Sequence, residues 1–374
     1  MQYSSTNLIP PAWIKSLAVY KEFLNSAGGW FSVLRKSQGL AEVLDEITRS
    51  VEPVIYDALS ENASPEFQEV LLYPVKAGGK RIRPAVLMLS CEAAGGNPED
   101  SLNAAAAIEL IHNYTLIIDD IIDHGEVRRG MPTLWRKYGL TMALLAAVQY
   151  REVVSELLLR SRNASRLLSI VDRYVMRLVE GERLDVLFEQ VGREDDPYVA
   201  EHRRLNVSSD DYVDMVVRKT SSLYEASAMM GAVEAGAGDT VVEAFRAFGL
   251  NLGVSFQIVD DLLDLFGSAS ETGKQVGKDV LEHKLGNMLI LRGLERMDGE
   301  SKRFFLSVLK SKQVPTEDLE EALNILARTG VRENAIREAW LFSERAKSML
   351  NVLPDSKAKR LLFELADYVV YRSR

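Results

Sequence analysis

Two groups of aspartates lie inside long apolar segments with helical spacing, and this combination restricts the fold more than any other feature of the chain. The segments are YTLIIDDIIDHG and FQIVDDLLDLFG, and their acids are Asp119, Asp120 and Asp123 in the first and Asp260, Asp261 and Asp264 in the second. In each group the first and last acids are four positions apart, which puts both on one helical face, ~6 Å from each other. Carboxylates among Ile and Leu are costly without a cationic partner. The pattern predicts two buried helices whose acids line an internal cavity.

Helical periodicity also dominates the rest of the sequence. Stretches such as SLNAAAAIELIHNYTLIIDDIID and ASRLLSIVDRYVMRLVEGERLDVLFEQ exceed strand length, and their apolar residues recur at three and four positions. No composition shift marks a boundary within the 374 residues. We predict an all-α fold, a single-domain helical bundle.

Composition and charge exclude several classes of function. The net charge of −9 argues against nucleic acid as the main partner. The single cysteine, Cys91, excludes an intrachain disulfide and a cysteine-based zinc site. Neither a secretory signal nor an apolar run of membrane-spanning length is visible, so we expect a cytoplasmic protein.

The aspartate pairs favour a magnesium site. A solvated acidic stripe is the ordinary alternative for one such motif, but two apolar-flanked copies argue against it. Calcium loops need ligands at alternate positions and a central glycine, whereas Mg²⁺ keeps waters and takes phosphate oxygens as further ligands. Loops near the motifs supply cations that could face such phosphates: Lys80, Arg81 and Arg83 in GGKRIRP, Arg128 and Arg129, Lys219, and Lys274, Lys278 and Lys284. The pattern predicts two diphosphate groups, one bound through metals and one bound directly.

Together these residues resemble the trans-prenyltransferases of the polyprenyl diphosphate synthase family, and most of all the archaeal short-chain geranylgeranyl diphosphate synthases. The motifs that carry the resemblance are GGKRIRP, the RRG behind the first aspartate group, KT at residues 219 and 220, and both aspartate groups. The similarity covers all but about the first 45 residues. We therefore expect a synthase domain over residues 46–374 and an N-terminal extension, residues 1–45, that forms a helix on the body or on a partner subunit, with a membrane-surface helix as the alternative.

The resemblance implies a deep central cavity with the two aspartate groups facing each other across its mouth, three Mg²⁺ ions and a homodimer. The implied metal ligands are Asp119, Asp120, Asp123, Asp260 and Asp264. The implied contacts to an allylic diphosphate (dimethylallyl, geranyl or farnesyl) are Arg128, Lys219, Thr220, Gln257, Lys274 and Lys284, and those to isopentenyl diphosphate are Lys80, Arg83, His112 and Arg129. Asp119, Asp123, Lys219 and Asp260 carry the catalytic roles. Membrane contact would be at most transient.

The expected reaction breaks the allylic C–O bond, and the double bond of isopentenyl diphosphate then attacks the carbocation. Product length in the family depends on the cavity floor, which here is Tyr114 with Thr115 beside it. We predict a C20 product, geranylgeranyl diphosphate, with C15 and C25 as alternatives. Two other classes stay open: a class I terpene cyclase and a subunit of a heteromeric synthase.

Three positions depart from the family pattern. Ile118 stands where histidine is usual, Glu182 stands where glutamine is common, and no Gly-Asp pair occurs near residues 147–149. In addition, the loop VGREDDPYVAEHRRLNVSSD at residues 191–210 is longer than typical, and the sequence gives it no role.

Overall fold

The computed structural model describes residues 27–61, 63–267 and 276–371, with side chains from residue 39 onward. The described chain is predominantly helical, which confirms the all-α prediction. Its helices are α1 (Ala27–Ser60), α2 (Pro65–Lys76), α3 (Ile82–Ala93), α4 (Leu102–Ile122), α5 (Leu134–Tyr138), α6 (Leu140–Leu159), α7 (Ala164–Leu187), α8 (Pro197–His202), α9 (Ser209–Val216), α10 (Ser222–Glu234), α11 (Asp239–Phe266), α12 (Lys278–Leu281), α13 (Met288–Arg296), α14 (Gly299–Leu309), α15 (Thr316–Arg328), α16 (Val331–Met349) and α17 (Lys357–Tyr371).

Shorter elements connect some of these helices. Single 3₁₀ turns form at Pro98–Ser101 and Leu350–Val352, and a π-helical turn, Val217–Ser221, joins α9 to α10. A two-stranded hairpin of β1 (Val127–Arg128) and β2 (Met131–Pro132) follows α4. This hairpin reverses the chain directly behind the first aspartate group.

Local sequence signals account for where several helices begin. Ser64 accepts a hydrogen bond from the backbone N–H of Phe67 at the start of α2. Ser208 and Asp211 form a reciprocal capping box on α9, and Asp298 caps α14. Such caps satisfy N–H groups that have no partner inside the helix.

The core consists of two contiguous apolar clusters. The first is formed largely by α1, α3, α4 and α6, and the second by parts of α11 and α13–α16. α4 packs against α6, while α11 packs between α10 and α16. The π turn lies where the clusters meet, because Val217 belongs to the second and Leu223 to the first.

Two glycines allow neighbouring helices to approach this π turn closely. A Cβ atom on Gly181 of α7 would lie 2.2 Å from the backbone nitrogen of Lys219, and one on Gly253 of α11 would lie 2.5 Å from the Cα of Ser221. Neither distance is compatible with a larger residue unless the backbone moves. α7 and α11 therefore hold the π turn from both sides.

The predicted N-terminal extension is only partly described. Residues 1–26, with the helix predicted there, lie outside the described residues, whereas α1 runs without interruption through residues 45 and 46. The proposed domain limits stay a prediction. Within the described ranges, no helix is both long enough and apolar enough to cross a membrane.

Candidate active site

The first aspartate group occupies the last turn of α4, and its three acids have different surroundings. Burial raises the pKa of Asp119 to about 7, reinforced by Glu182 and Asp123 and opposed by Lys219. Asp120 is buried and accepts a hydrogen bond from Nε of Arg128 at 2.9 Å. Asp123 ends the helix, and its carboxylate lies 3.5 Å from Nζ of Lys284. Asp119 and Asp123 thus lie near the lysines Lys219 and Lys284, while Asp120 orients Arg128.

The π turn brings Lys219 to the same region. Its Nζ lies 2.6 Å from Asp185 and 2.7 Å from Glu182, both on α7. Although burial acts in the opposite direction, Asp185 and Glu182 raise the pKa of Lys219 well above its usual value. Lys284 adds a second cation 3.4 Å from Asp185. Lys219 and Lys284 are therefore charged and lie in one cluster with the acids of α4 and α7.

The second aspartate group lies on α11 and is joined to this cluster through side chains. The hydroxyl of Thr220 donates to Gln257 at 2.6 Å, and the amide of Gln257 donates to Asp261 at 2.8 Å. Asp261 also accepts from the hydroxyl of Tyr212 at 2.7 Å and from the backbone N–H of Met288 at 2.9 Å. Burial, followed by the neighbouring charge of Asp279, raises the pKa of Asp261 well above its usual value. Asp261 thus stabilises the packing around α11.

Asp260 and Asp264 lie on the same helix, one turn apart. Asp260 is partly buried and Asp264 is buried. The contact from Thr220 to Gln257 connects their helix to the turn that carries Lys219. This series of contacts is one physical link between α11 and the charged cluster around Lys219.

A second basic region forms where α3, α4 and the β-hairpin meet. Burial lowers the pKa of His112 well below its usual value, and Arg83 and Arg129 add to the effect. His112 is therefore neutral and lies among arginines. Arg83 stacks over the Tyr224 ring at 4.8 Å, and Lys80 lies 5.2 Å from the ring centre of Tyr368.

Arg81 differs from its two basic neighbours. It adopts a left-handed backbone conformation with φ of 45°, and its guanidinium is buried. There it lies 2.7 Å from Glu52 and 2.8 Å from Glu109. Its charge therefore stabilises the packing of α1, α3 and α4, whereas Lys80 and Arg83 remain available to a ligand.

An apolar cavity of about 310 Å³ lies below Asp119, between α4 and α7. Tyr114, Thr115 and Ile118 line it from α4, and Leu178 and Leu187 line it from α7. Burial raises the pKa of Tyr114 to about 12, so its hydroxyl stays protonated. The predicted floor residues do contact this cavity, and its volume lies in the range that holds small-molecule ligands.

Some residues of the site were missed or cannot be placed. Lys274 lies outside the described residues. Glu182 and Asp185 were not predicted as site residues, although their spacing of three on a helix puts them on one face. Arg193, 3.8 Å from Asp123, was also missed. Its loop has no periodicity, so no local sequence signal could have indicated this contact.

A family model described as polyprenyl synthetase matches residues 64–326. The chain belongs to the polyprenyl synthetase family. It is 34% identical over 340 residues to a geranylgeranyl diphosphate synthase of Methanosarcina mazei, covering 89% of this chain and 99% of that protein. It is 33% identical to a geranylfarnesyl diphosphate synthase of Natronomonas pharaonis over 344 residues, 86% of this chain and 95% of that one.

Solved structures of polyprenyl synthetases share the fold. A geranylgeranyl pyrophosphate synthetase from Pyrococcus horikoshii superposes with a TM-score of 0.80 at 32% identity, covering 90% of this chain and 99% of that one. A polyprenyl synthase from Caulobacter crescentus, complexed with calcium and isoprenyl diphosphate, superposes with a TM-score of 0.81 at 27% identity, covering 90% of this chain and 97% of that one. This polyprenyl synthetase is a trans-prenyltransferase.

Proposed function

We propose that this enzyme condenses isopentenyl diphosphate with an allylic diphosphate, in a reaction that requires Mg²⁺, and that its main product is geranylgeranyl diphosphate. One observation carries the proposal. An apolar cavity opens directly beside Asp119, Glu182 and the charged cluster around Lys219. Such a cavity accepts a hydrocarbon tail, and the adjoining charges can bind the diphosphate to which that tail is attached.

The aspartate groups fit Mg²⁺ as their metal. Among the described residues, no three His, Cys, Asp or Glu side chains lie close enough to hold a metal by themselves. Mg²⁺ suits such a site because it retains waters and shares phosphate oxygens with the protein. Asp119, Asp120, Asp123, Asp260 and Asp264 would hold it, with about three ions per site expected from the resemblance. When bound, Mg²⁺ would stabilise the negative charge that develops on the leaving diphosphate.

The side chains of the π turn then act on the allylic substrate. Lys219, with Arg128 and Lys284, would neutralise the departing diphosphate, and Lys274 is proposed to join them. Glu182 lies 2.7 Å from Lys219 and adds a carboxylate at the rim of the cavity, where positive charge forms on the allylic carbons. The apolar walls would exclude water from the carbocation.

Isopentenyl diphosphate would bind to Lys80, Arg83, His112 and Arg129. A neutral His112 can donate one hydrogen bond to a phosphate without further crowding the positive charge of the arginines. Arg129 is held against the glycine loop, since its guanidinium donates to the carbonyl oxygen of Gly78. In this assignment isopentenyl diphosphate would lie beside α3 and the β-hairpin, and His112, two helical turns before Asp119 on α4, would face the same side of that helix as Asp119.

Incubation with Mg²⁺, labelled isopentenyl diphosphate and C5, C10 or C15 allylic primers tests the reaction. A C20 alcohol after dephosphorylation, dependent on both substrates and abolished by a chelator, is the expected result. A predominant C15 or C25 product would correct the length alone. Consumption of the allylic primer without isopentenyl diphosphate would support a terpene cyclase, and complete inactivity would support a subunit of a heteromeric synthase.

Arg83→Met tests the assignment of the two diphosphate sites. Loss of a hydrogen bond to a charged group costs about 1.5–3 kcal/mol, so KM for isopentenyl diphosphate should rise roughly 10- to 150-fold. KM for the allylic substrate should change little. Arg303→Met on the exposed side of α14 is the matched control. Equal effects on both KM values would contradict separate sites.

We also propose that the enzyme is a homodimer. Exposed apolar side chains lie along α6 and the adjacent α7: Leu140, Leu144, Leu145, Val148, Met176 and Val179. An apolar face of this kind is typical of a protein interface. Sedimentation analysis of the wild type and of a Leu145→Glu, Val148→Glu variant would test this assembly, with a dimer expected for the wild type and monomers for the variant.

A further inference from the structure

The loop at residues 191–204 lies beside both the apolar cavity and the first aspartate group. Its ends are held together at the base, where the N–H of Arg204 donates to Leu187 O at 2.8 Å and Gln190 Nε2 donates to Arg204 O at 3.1 Å. A compact surface loop with joined ends is an Ω-loop, a class that is frequently functional. We call residues 191–204 the wall loop.

Charged contacts hold the wall loop against the site. Nε of Arg193 lies 2.7 Å from Glu189, and its Nη2 lies 3.8 Å from Asp123. Asp196 caps α8 by accepting from the N–H of Val199 at 3.3 Å. The loop is therefore fixed close to the end of α4 by its first residues, and its short helix has a defined start.

The two faces of the wall loop have opposite character. Arg193 and Asp196 line a polar cavity of about 600 Å³ together with Asp123. Tyr198 and Val199, only two or three residues later, line the apolar cavity together with Leu187 and Glu182 on α7. Val199 is 5% exposed, and Tyr198 is 50% exposed. The loop thus separates a polar space from the space assigned to the prenyl chain.

From this arrangement we infer that the wall loop closes one side of the prenyl cavity, and that Tyr198 and Val199 keep water from the allylic carbocation. The inference rests on the proposed function. Once the C–O bond breaks, the diphosphate leaves with the electron pair. The carbocation then bonds either to the double bond of isopentenyl diphosphate or to the oxygen of a water. In the first case the new carbocation loses a proton to the released diphosphate and gives the longer allylic diphosphate; in the second the water loses a proton and gives the allylic alcohol. Exclusion of water decides between these outcomes.

The same residues should limit the allylic primer. Val199 lines the cavity beside Leu187. A larger side chain at this position must therefore either fill space that the prenyl chain would occupy or displace α8. A long primer such as farnesyl diphosphate fills more of the cavity than dimethylallyl diphosphate does. A larger side chain at residue 199 should therefore lower kcat/KM for the longer primer more than for the shorter one.

Two substitutions test the inference in opposite directions, with the full-length enzyme, Mg²⁺, isopentenyl diphosphate and farnesyl or dimethylallyl diphosphate. Tyr198→Ala should raise the ratio of farnesol to elongated product several-fold. Val199→Trp should lower kcat/KM for farnesyl diphosphate more than for dimethylallyl diphosphate and shift products from C20 towards C15. Tyr198 is half exposed and its ring stacks on His202, so its removal leaves the core intact.

The neighbouring exposed positions provide matched controls. Glu201→Ala and Ala200→Trp alter the same short helix but neither residue lines the cavity. Both should keep the wild-type product ratio and length. If the wild type elongates and Tyr198→Ala and Val199→Trp leave the product ratio and primer preference unchanged, the inference is wrong while the proposed function stands. A wild type that does not elongate would instead refute the proposed function.

Discussion

Gly181→Ala should disable catalysis through the π turn. The new Cβ would lie 2.2 Å from the nitrogen of Lys219 and 2.7 Å from its Cα. Non-bonded heavy atoms prefer separations of about 3.5–4 Å, so α7 and the turn must separate by roughly 1 Å or more. Overpacking of this kind costs about 1–3 kcal/mol of folding free energy. A misplacement of ~1 Å in a catalytic site can lower the rate about 100-fold.

Initial rates of isopentenyl diphosphate incorporation would measure this effect, with thermal unfolding recorded in parallel. We expect kcat to fall by about 100-fold, because the turn is pushed away from α7 and Lys219 is separated from Glu182 and Asp185. Gly39→Ala is the matched control, since this exposed glycine in α1 has nothing within 4 Å of the added Cβ. It should be fully active and about 0.5–1 kcal/mol more stable. A Gly181→Ala enzyme with wild-type kcat would refute the proposed constraint on the turn.

Three further predictions follow from the charges and hydrogen bonds of the site. Arg81→Met should lower the free energy of unfolding, measured in urea, by about 3–5 kcal/mol, because the buried Glu109 carboxylate loses its cationic partner. A variant with a higher KM for a substrate but unchanged stability would contradict this structural role. Tyr212→Phe should cost about 1–3 kcal/mol in the same assay, as Asp261 loses a hydrogen bond of 2.7 Å. The pKa of Asp119, raised to about 7, means that protons compete with the metal below that pH. Activity at limiting Mg²⁺ should therefore fall about tenfold per pH unit below 7. Glu182→Gln removes a negative charge that raises the pKa of Asp119, so it should shift this fall in activity to lower pH. An unchanged pH profile would argue against the effect of Glu182 on Asp119.

The comparison of Lys80, Arg81 and Arg83 illustrates what the sequence could not resolve. All three are basic and lie in one short segment, and nothing in GGKRIRP distinguishes their roles. The left-handed conformation of Arg81 turns its side chain inward to Glu52 and Glu109, which are 29 and 28 residues away in the chain. A contact between residues this far apart depends on how helices pack, and no local pattern reports it.

The sequence by itself determined the helical class, the position of both aspartate groups and the cations that accompany them. Helical periodicity and the spacing of acids on one face are local properties, so they can be read from short segments. Tertiary packing alone decided that Asp120 pairs with Arg128, that Lys219 lies between Glu182 and Asp185, and that the wall loop lines the apolar cavity. The first contact depends on the hairpin that reverses the chain eight residues after Asp120. The other two require distant segments to meet, and close packing of α4, α7 and the π turn brings them together.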